Sequence, residues 1–227
     1  MHCFGCNADS PSESGTCEVC GKPLPADPDL YFKAGMEAMA EGRIDPCIDF
    51  LRDCVKLGPN HLSGRYNLGF ALCFANECDE AVEHYMAVVE HDPNYPGIYT
   101  ALGQAAFGSY LSHLEQTESN RKAMIEHLRK AIEQDPNDVD AYFSLGNAYI
   151  AMGSADKSLP WLREALKLHP DSSAIHFAVA KAFKMLQKLP EAAIMARKSM
   201  ELSDPDDPLS EEIQALFSEL KQAVSAR

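Results

Sequence analysis

Two ladders of punctuating residues run through this chain in step. Gly35, Gly69, Gly103, Gly146 and Ala180 follow one another at intervals of 34, 34, 43 and 34 residues, and Pro59, Pro93, Pro136 and Pro170 at 34, 43 and 34. The same nine-residue excess falls between the same two units in both ladders, which chance composition would not reproduce. A unit this short cannot bury a hydrophobic face alone, so it must stack on its neighbours. Each unit reads as two helices. In the second, Leu68, Gly69 and Leu72 form one apolar stripe; after the polar break at 76–80, Ala81, Tyr85 and Val88 form another. His91-Asp92-Pro93-Asn94 ends that unit, because proline stops the helix and starts the next turn. Asp45-Pro46 and Leu189-Pro190 place proline at the start of a second helix, where its missing N–H costs nothing.

Thirty-four-residue units with Leu-Gly, a later alanine, an aromatic residue or leucine four positions on, then alanine and proline resemble tetratricopeptide repeats. The resemblance implies an all-α fold, a right-handed α-solenoid of five helix pairs over 28–61, 62–95, 96–138, 139–172 and 173–206. Repeat five departs from the pattern with Ala180 for the glycine and Ser199 for the alanine. Pro160 falls inside the second helix of repeat four, which is expected to start later or bend there. The extra residues of repeat three, around 109–120, are expected to lengthen its first helix or its inter-helix turn. Over 207–227, Ile213, Leu216, Phe217, Leu220 and Val224 recur at helical spacing, as a helix capping the exposed end of a stack requires.

Ahead of the repeats, Cys3-x2-Cys6 and Cys17-x2-Cys20 form two paired-thiol steps. A two-residue gap lets a tight turn aim both sulfurs at one point, and two such turns supply four tetrahedral ligands. The segment 1–24 has few aliphatic residues, so metal must hold it together. Soft thiolates in a closed four-sulfur shell suit one structural Zn2+, and an iron–sulfur site would use the same ligands. A thioredoxin-like redox pair would need a βαβ setting that is lacking here. The run resembles the small zinc ribbons at the N-termini of many bacterial proteins. Residues 25–27, within Pro23-Leu24-Pro25-Ala26-Asp27-Pro28, read as a stiff linker. Cys47 and Cys54 stand at small-residue positions of the repeat; Cys73 and Cys78 have no assigned role, their spacing being irregular for a second metal site.

Beside the packing stripe of each first helix lies a second stripe, which in tetratricopeptide-repeat proteins lines the inner groove where partner peptides dock. Here that resemblance assigns Phe32, Met36 and Met39 to the groove in repeat one, and Tyr66, Asn67, Phe70 and Cys73 in repeat two. Gln104 follows in repeat three, Phe143 and Asn147 in repeat four, and Phe177 and Lys181 in repeat five. Aromatic and methionine-rich at one end and basic at the other, such a surface suits a peptide with apolar anchors. The alternative is that the stripe packs against neighbouring repeats or the last helix. Phe32 and Met36 stand where a clamp for chaperone-tail carboxylates would have Lys and Asn, which argues against that ligand.

Thirty-four acidic against twenty basic residues give a net charge of −14, with no basic stripe to meet a phosphate backbone. No apolar run is long enough to cross a membrane, and the start lacks a basic leader followed by an apolar stretch, so a cytoplasmic location is expected. Phosphate-binding loops, zinc-protease steps and serine elbows are absent, and no small-molecule substrate is evident. The expectation is a non-enzymatic scaffold for a protein or peptide partner. The alternative is a nucleic-acid-associated factor that uses the ribbon, which electrostatics oppose: Lys22 is the one base in the first twenty-seven residues.

Overall fold

A computed structural model describes residues 2–3, 8–9, 16–20, 22, 24–112 and 118–225. The chain divides into two compact bodies, 1–120 and 121–227. Eleven helices among the described residues make the fold class all-α.

In the first body, β1 (His2–Cys3) pairs antiparallel with β2 (Ala8–Asp9), ahead of α1 (Pro28–Ala40), α2 (Ile44–Leu57), α3 (Leu62–Phe74), α4 (Cys78–His91) and α5 (Ile98–Ser112). Helices adjacent in sequence pack together, and α3 also touches α5. The second body holds α6 (Glu118–Gln134) from Arg121 on, α7 (Val139–Ala151), α8 (Ala155–Leu168), α9 (Ser173–Met185), α10 (Leu189–Leu202) and α11 (Ser210–Ser225). Here α7 to α11 pack in order, and α7 also touches α9.

One contact recurs within the helix pairs. A Cβ on Gly35 would lie 2.8 Å from Leu51 of α2, on Gly69 2.9 Å from Tyr85 of α4, and on Gly146 2.4 Å from Leu162 of α8. The absent side chain is the socket for a large residue on the partner helix. In the fifth pair, Ala180 and Ala196 are both fully buried at the corresponding places, so a larger socket residue goes with a smaller knob.

The turn inside a pair is also shared. Gly42, Asn76, Gly153 and Gln187 all take positive φ, between 59° and 73°. Each N–H donates to the carbonyl three residues back, and the next N–H reaches five back, as in Gly153 to Ile150 and Ser154 to Tyr149. This closes the orphan carbonyls of the first helix. Three of the turns that follow a pair run through Asp-Pro: the Asp92, Asp135 and Asp204 carboxylates accept from the N–H of Asn94, Asn137 and Asp206, at 2.9, 2.9 and 3.0 Å. Asp138 and Ser172 then cap α7 and α9. His61 caps α3 by accepting from the Gly64 N–H at 2.8 Å, which leaves its Nε2–H to donate to Asp29 of α1 at 3.0 Å.

Repeat three lengthens its first helix as expected, whereas the second helix of repeat four does not start after its proline. α8 begins at Ala155 with Pro160 inside it. Pro160 is exposed, and the hydrogen bond it forgoes would have gone to the carbonyl of Asp156, itself an exposed residue. The extra residues of repeat three lengthen both helices, α5 to 15 residues and α6 to 17, against 13 and 14 in the other pairs.

In the second body Trp161 of α8 stacks near Tyr142, ring centres 6.3 Å apart, beneath the Arg129 guanidinium at 5.8 Å.

Gly146→Ala should destabilise the chain by about 1–3 kcal/mol in urea unfolding, because Leu162 must leave its rotamer to make room. Gln187→Gly should stabilise it by about 1 kcal/mol, because glycine removes the left-handed strain.

Candidate metal centre and binding face

Cys3 stands on β1; Cys17 and Cys20 flank a turn in which the Cys17 N–H donates to the Lys22 carbonyl at 2.8 Å. Their three sulfurs lie within 4.8 Å of one another, with Cys3 Sγ 3.6 Å from Cys20 Sγ, and all three residues are free thiols. Tetrahedral ligation with zinc–sulfur bonds of about 2.3 Å puts sulfurs about 3.8 Å apart, so this spacing fits a shared metal ion. Cys3 and Cys17 are buried together with Leu24, whereas Cys20 is exposed. Cys6 lies outside the described residues.

The cluster is electrically felt by the first repeat. Tyr31 of α1 is fully buried, and its hydroxyl is pushed up to about 12 by burial, with Asp53 and Cys3 adding to the shift. Burial pushes Cys54 up to about 11 and Cys73 up to about 12, so both remain protonated thiols at neutral pH. The Cys73 thiol hydrogen-bonds Cys78, whose sulfur would lie 2.5 Å from a Cβ on Gly108. Cys78 is thus a small knob between α4 and α5, a role that only the three-dimensional contact reveals.

The residues of the second stripe have diverse environments. Phe32, Met36 and Met39 of α1 are half-buried, and the Phe32 ring lies 5.1 Å from that of His61. Tyr66 is half-buried between Tyr85 at 5.6 Å and Tyr95 at 5.2 Å. Asn67, also half-buried, donates to the Ser63 carbonyl one turn back at 2.8 Å. Phe70 is 41% exposed and stacks edge-on with Phe74, 66% exposed, at 5.0 Å. Cys73 is half-buried and Gln104 of α5 exposed.

In the second body, Phe143 packs on the core formed by α8 and α9, and Asn147 is half-buried. Phe177 is buried against Ile213, Leu216 and Leu220 of α11, with Lys181 Nζ 5.2 Å above its ring. Phe177 and Lys181 also line a cavity with residues of α11. Sequence reasoning passed over Phe74 and the α11 lining. The apolar i, i+4 spacing of Phe70 and Phe74 was a usable signal; α11 was read only for the face it buries.

Residues 125–153 match a family model described as TPR repeat, and residues 143–206 one described as Tetratricopeptide repeat. The chain matches no curated protein sequence. Among solved structures it resembles a thermophilic TPR protein of Thermus thermophilus, at 22% identity over 86% of this chain and 99% of that one, with a TM-score of 0.68. It also resembles MamA, at 23% identity, 77% and 91% coverage and a TM-score of 0.64. YrrB, a TPR protein with an unusual peptide-binding site, matches at 15% identity, 84% and 93% coverage and a TM-score of 0.59. The region 125–206 therefore carries tetratricopeptide repeats, and the fold of the chain is that of tetratricopeptide-repeat proteins.

Proposed function

We propose that the chain is a non-enzymatic interaction scaffold that holds a protein or peptide segment through second-stripe residues of its first helices. The observation that carries this reading is the pair Phe70 and Phe74, which α3 presents to solvent although its other face is filled by Leu68, Ala71 and Leu72. Stacked aromatics exposed on a rigid helix offer apolar area that loses little entropy on binding. On α1, the half-buried Met36 and Met39 add adaptable apolar surface. The peptide-binding site described for YrrB, a fold neighbour, supports the same reading.

The N-terminal cysteines serve this scaffold as a structural centre. Cys3, Cys17 and Cys20 would hold one Zn2+, and the Cys3-x2-Cys6 spacing makes Cys6 the candidate for the fourth ligand. When bound, the ion would supply a cross-link to a segment, 1–24, whose sequence has few aliphatic residues. The thiolates also bring the first strand and the turn at 17–20 together beside Tyr31. No small-molecule substrate or nucleic acid enters this reading, and the protein works in the cytoplasm.

The binding face is tested by affinity capture from the native cell. Phe70→Ser combined with Phe74→Ser should abolish recovery of the partner while leaving the thermal melt unchanged, because both side chains are exposed. Equal recovery by the double variant would overturn the assignment. For the metal, elemental analysis should find one zinc per chain, falling to less than half in Cys17→Ser. Acidification should release the ion as the thiolates protonate.

A further inference from the structure

Between α9 and α11 lies an open cavity of about 580 Å3, within the range of about 300–1,000 Å3 typical of ligand clefts. Its floor is apolar. Phe177 and Leu216 rise into it from the core cluster shared by the two helices, and Met185, 43% exposed, and Ala215 complete it. Its walls carry opposite charges. On one side α9 contributes Lys181 and Lys184; on the other, α11 contributes Glu212 and Glu219. Lys184 Nζ and Glu219 Oε2 close into an ion pair at 2.7 Å. Lys181 meets no carboxylate among the described residues, and Glu212 no cation; the Lys181 ammonium sits over the Phe177 ring at 5.2 Å.

We infer that this cavity is a docking pocket for one large apolar side chain of a peptide segment, with a single carboxylate beside it for Lys181 and a cation on its other side for Glu212. The inference rests on the scaffold reading above and adds a separate contact with a stated chemistry. An apolar anchor covers the floor of Phe177, Leu216 and Met185. By displacing water from the rim it strengthens the flanking charge contacts. A polyacidic tail does not fit, since it would meet Glu212, Glu219 and a chain of net charge −14. Each wall instead asks for one charge of the opposite sign. On this view α11 does more than cover the end of the repeats: it forms half of the site.

The test titrates the intact chain, by fluorescence anisotropy, with labelled nonapeptides centred on Leu or Phe. These carry Glu on one side and Lys on the other, in both orders, and then Gln in place of each. The Glu/Lys peptides should bind, and Glu→Gln should weaken them about tenfold, or about 1.4 kcal/mol. Lys181→Glu should cost as much, with Lys181→Arg retaining affinity. Ala215→Trp, at an exposed position, should fill the cavity and abolish binding without changing the circular dichroism spectrum. Gln peptides binding as tightly as their parents would overturn the proposal, as would unchanged affinity in both Lys181→Glu and Ala215→Trp. Binding that survives those two variants but is lost with Phe70→Ser and Phe74→Ser overturns this pocket and leaves the scaffold reading standing. Absence of binding to every peptide also overturns the pocket, and the affinity capture then decides the scaffold separately.

Discussion

A single close approach, one backbone carbon of the first helix against one large side chain of the second, sets how near the helices of a pair can come. Leu51, Tyr85 and Leu162 each fill the space left where Gly35, Gly69 and Gly146 have no side chain. Interiors of this density do not absorb an added methyl by small adjustments everywhere; some side chain must change rotamer. The fifth pair shows the same rule from the other direction, with Ala180 facing a position where the knob has shrunk to Ala196. What is kept along the chain is the sum of the two residues and not the glycine itself.

The turns hold the second level of order. Four inner turns share a left-handed residue, filled by Gly, Asn, Gly and Gln, and the two non-glycine cases carry local strain that the surrounding packing offsets. Three outer turns rely on an aspartate, followed by proline, that folds back on the backbone two residues later. A part of the chain's acidity therefore serves turn geometry. The surface pairs add little by comparison: Arg52 bridges Glu77 and Glu80, but all three side chains are largely solvated.

Much of this order is legible in the sequence. The glycine and proline ladders carry the helix pairs because both residue types act through local backbone physics that does not depend on distant contacts. Other features were illegible for the opposite reason. Pro160 reads as a helix stop, yet its exposed position keeps the cost of the lost hydrogen bond small. The sequence places Phe70 and Phe177 alike on the second stripe without deciding which is covered; Phe177 is buried by a helix thirty-odd residues further on, while Phe70 is 41% exposed. Cys78 was unassigned because its partner, Gly108, lies on a different helix. The spacing of the N-terminal cysteines predicts that they converge, and the sulfurs of Cys3, Cys17 and Cys20 do lie within 4.8 Å of one another.

Trp161 is the only tryptophan in the chain, and it belongs to the second body, lodged beside Arg129 and Tyr142. Its emission therefore reports on that body alone, whereas tyrosine signals arise from both. The molecule carries a built-in optical label that separates the melting of its C-terminal repeats from that of the N-terminal ones, and it shows directly whether the two halves unfold as one cooperative unit or in succession.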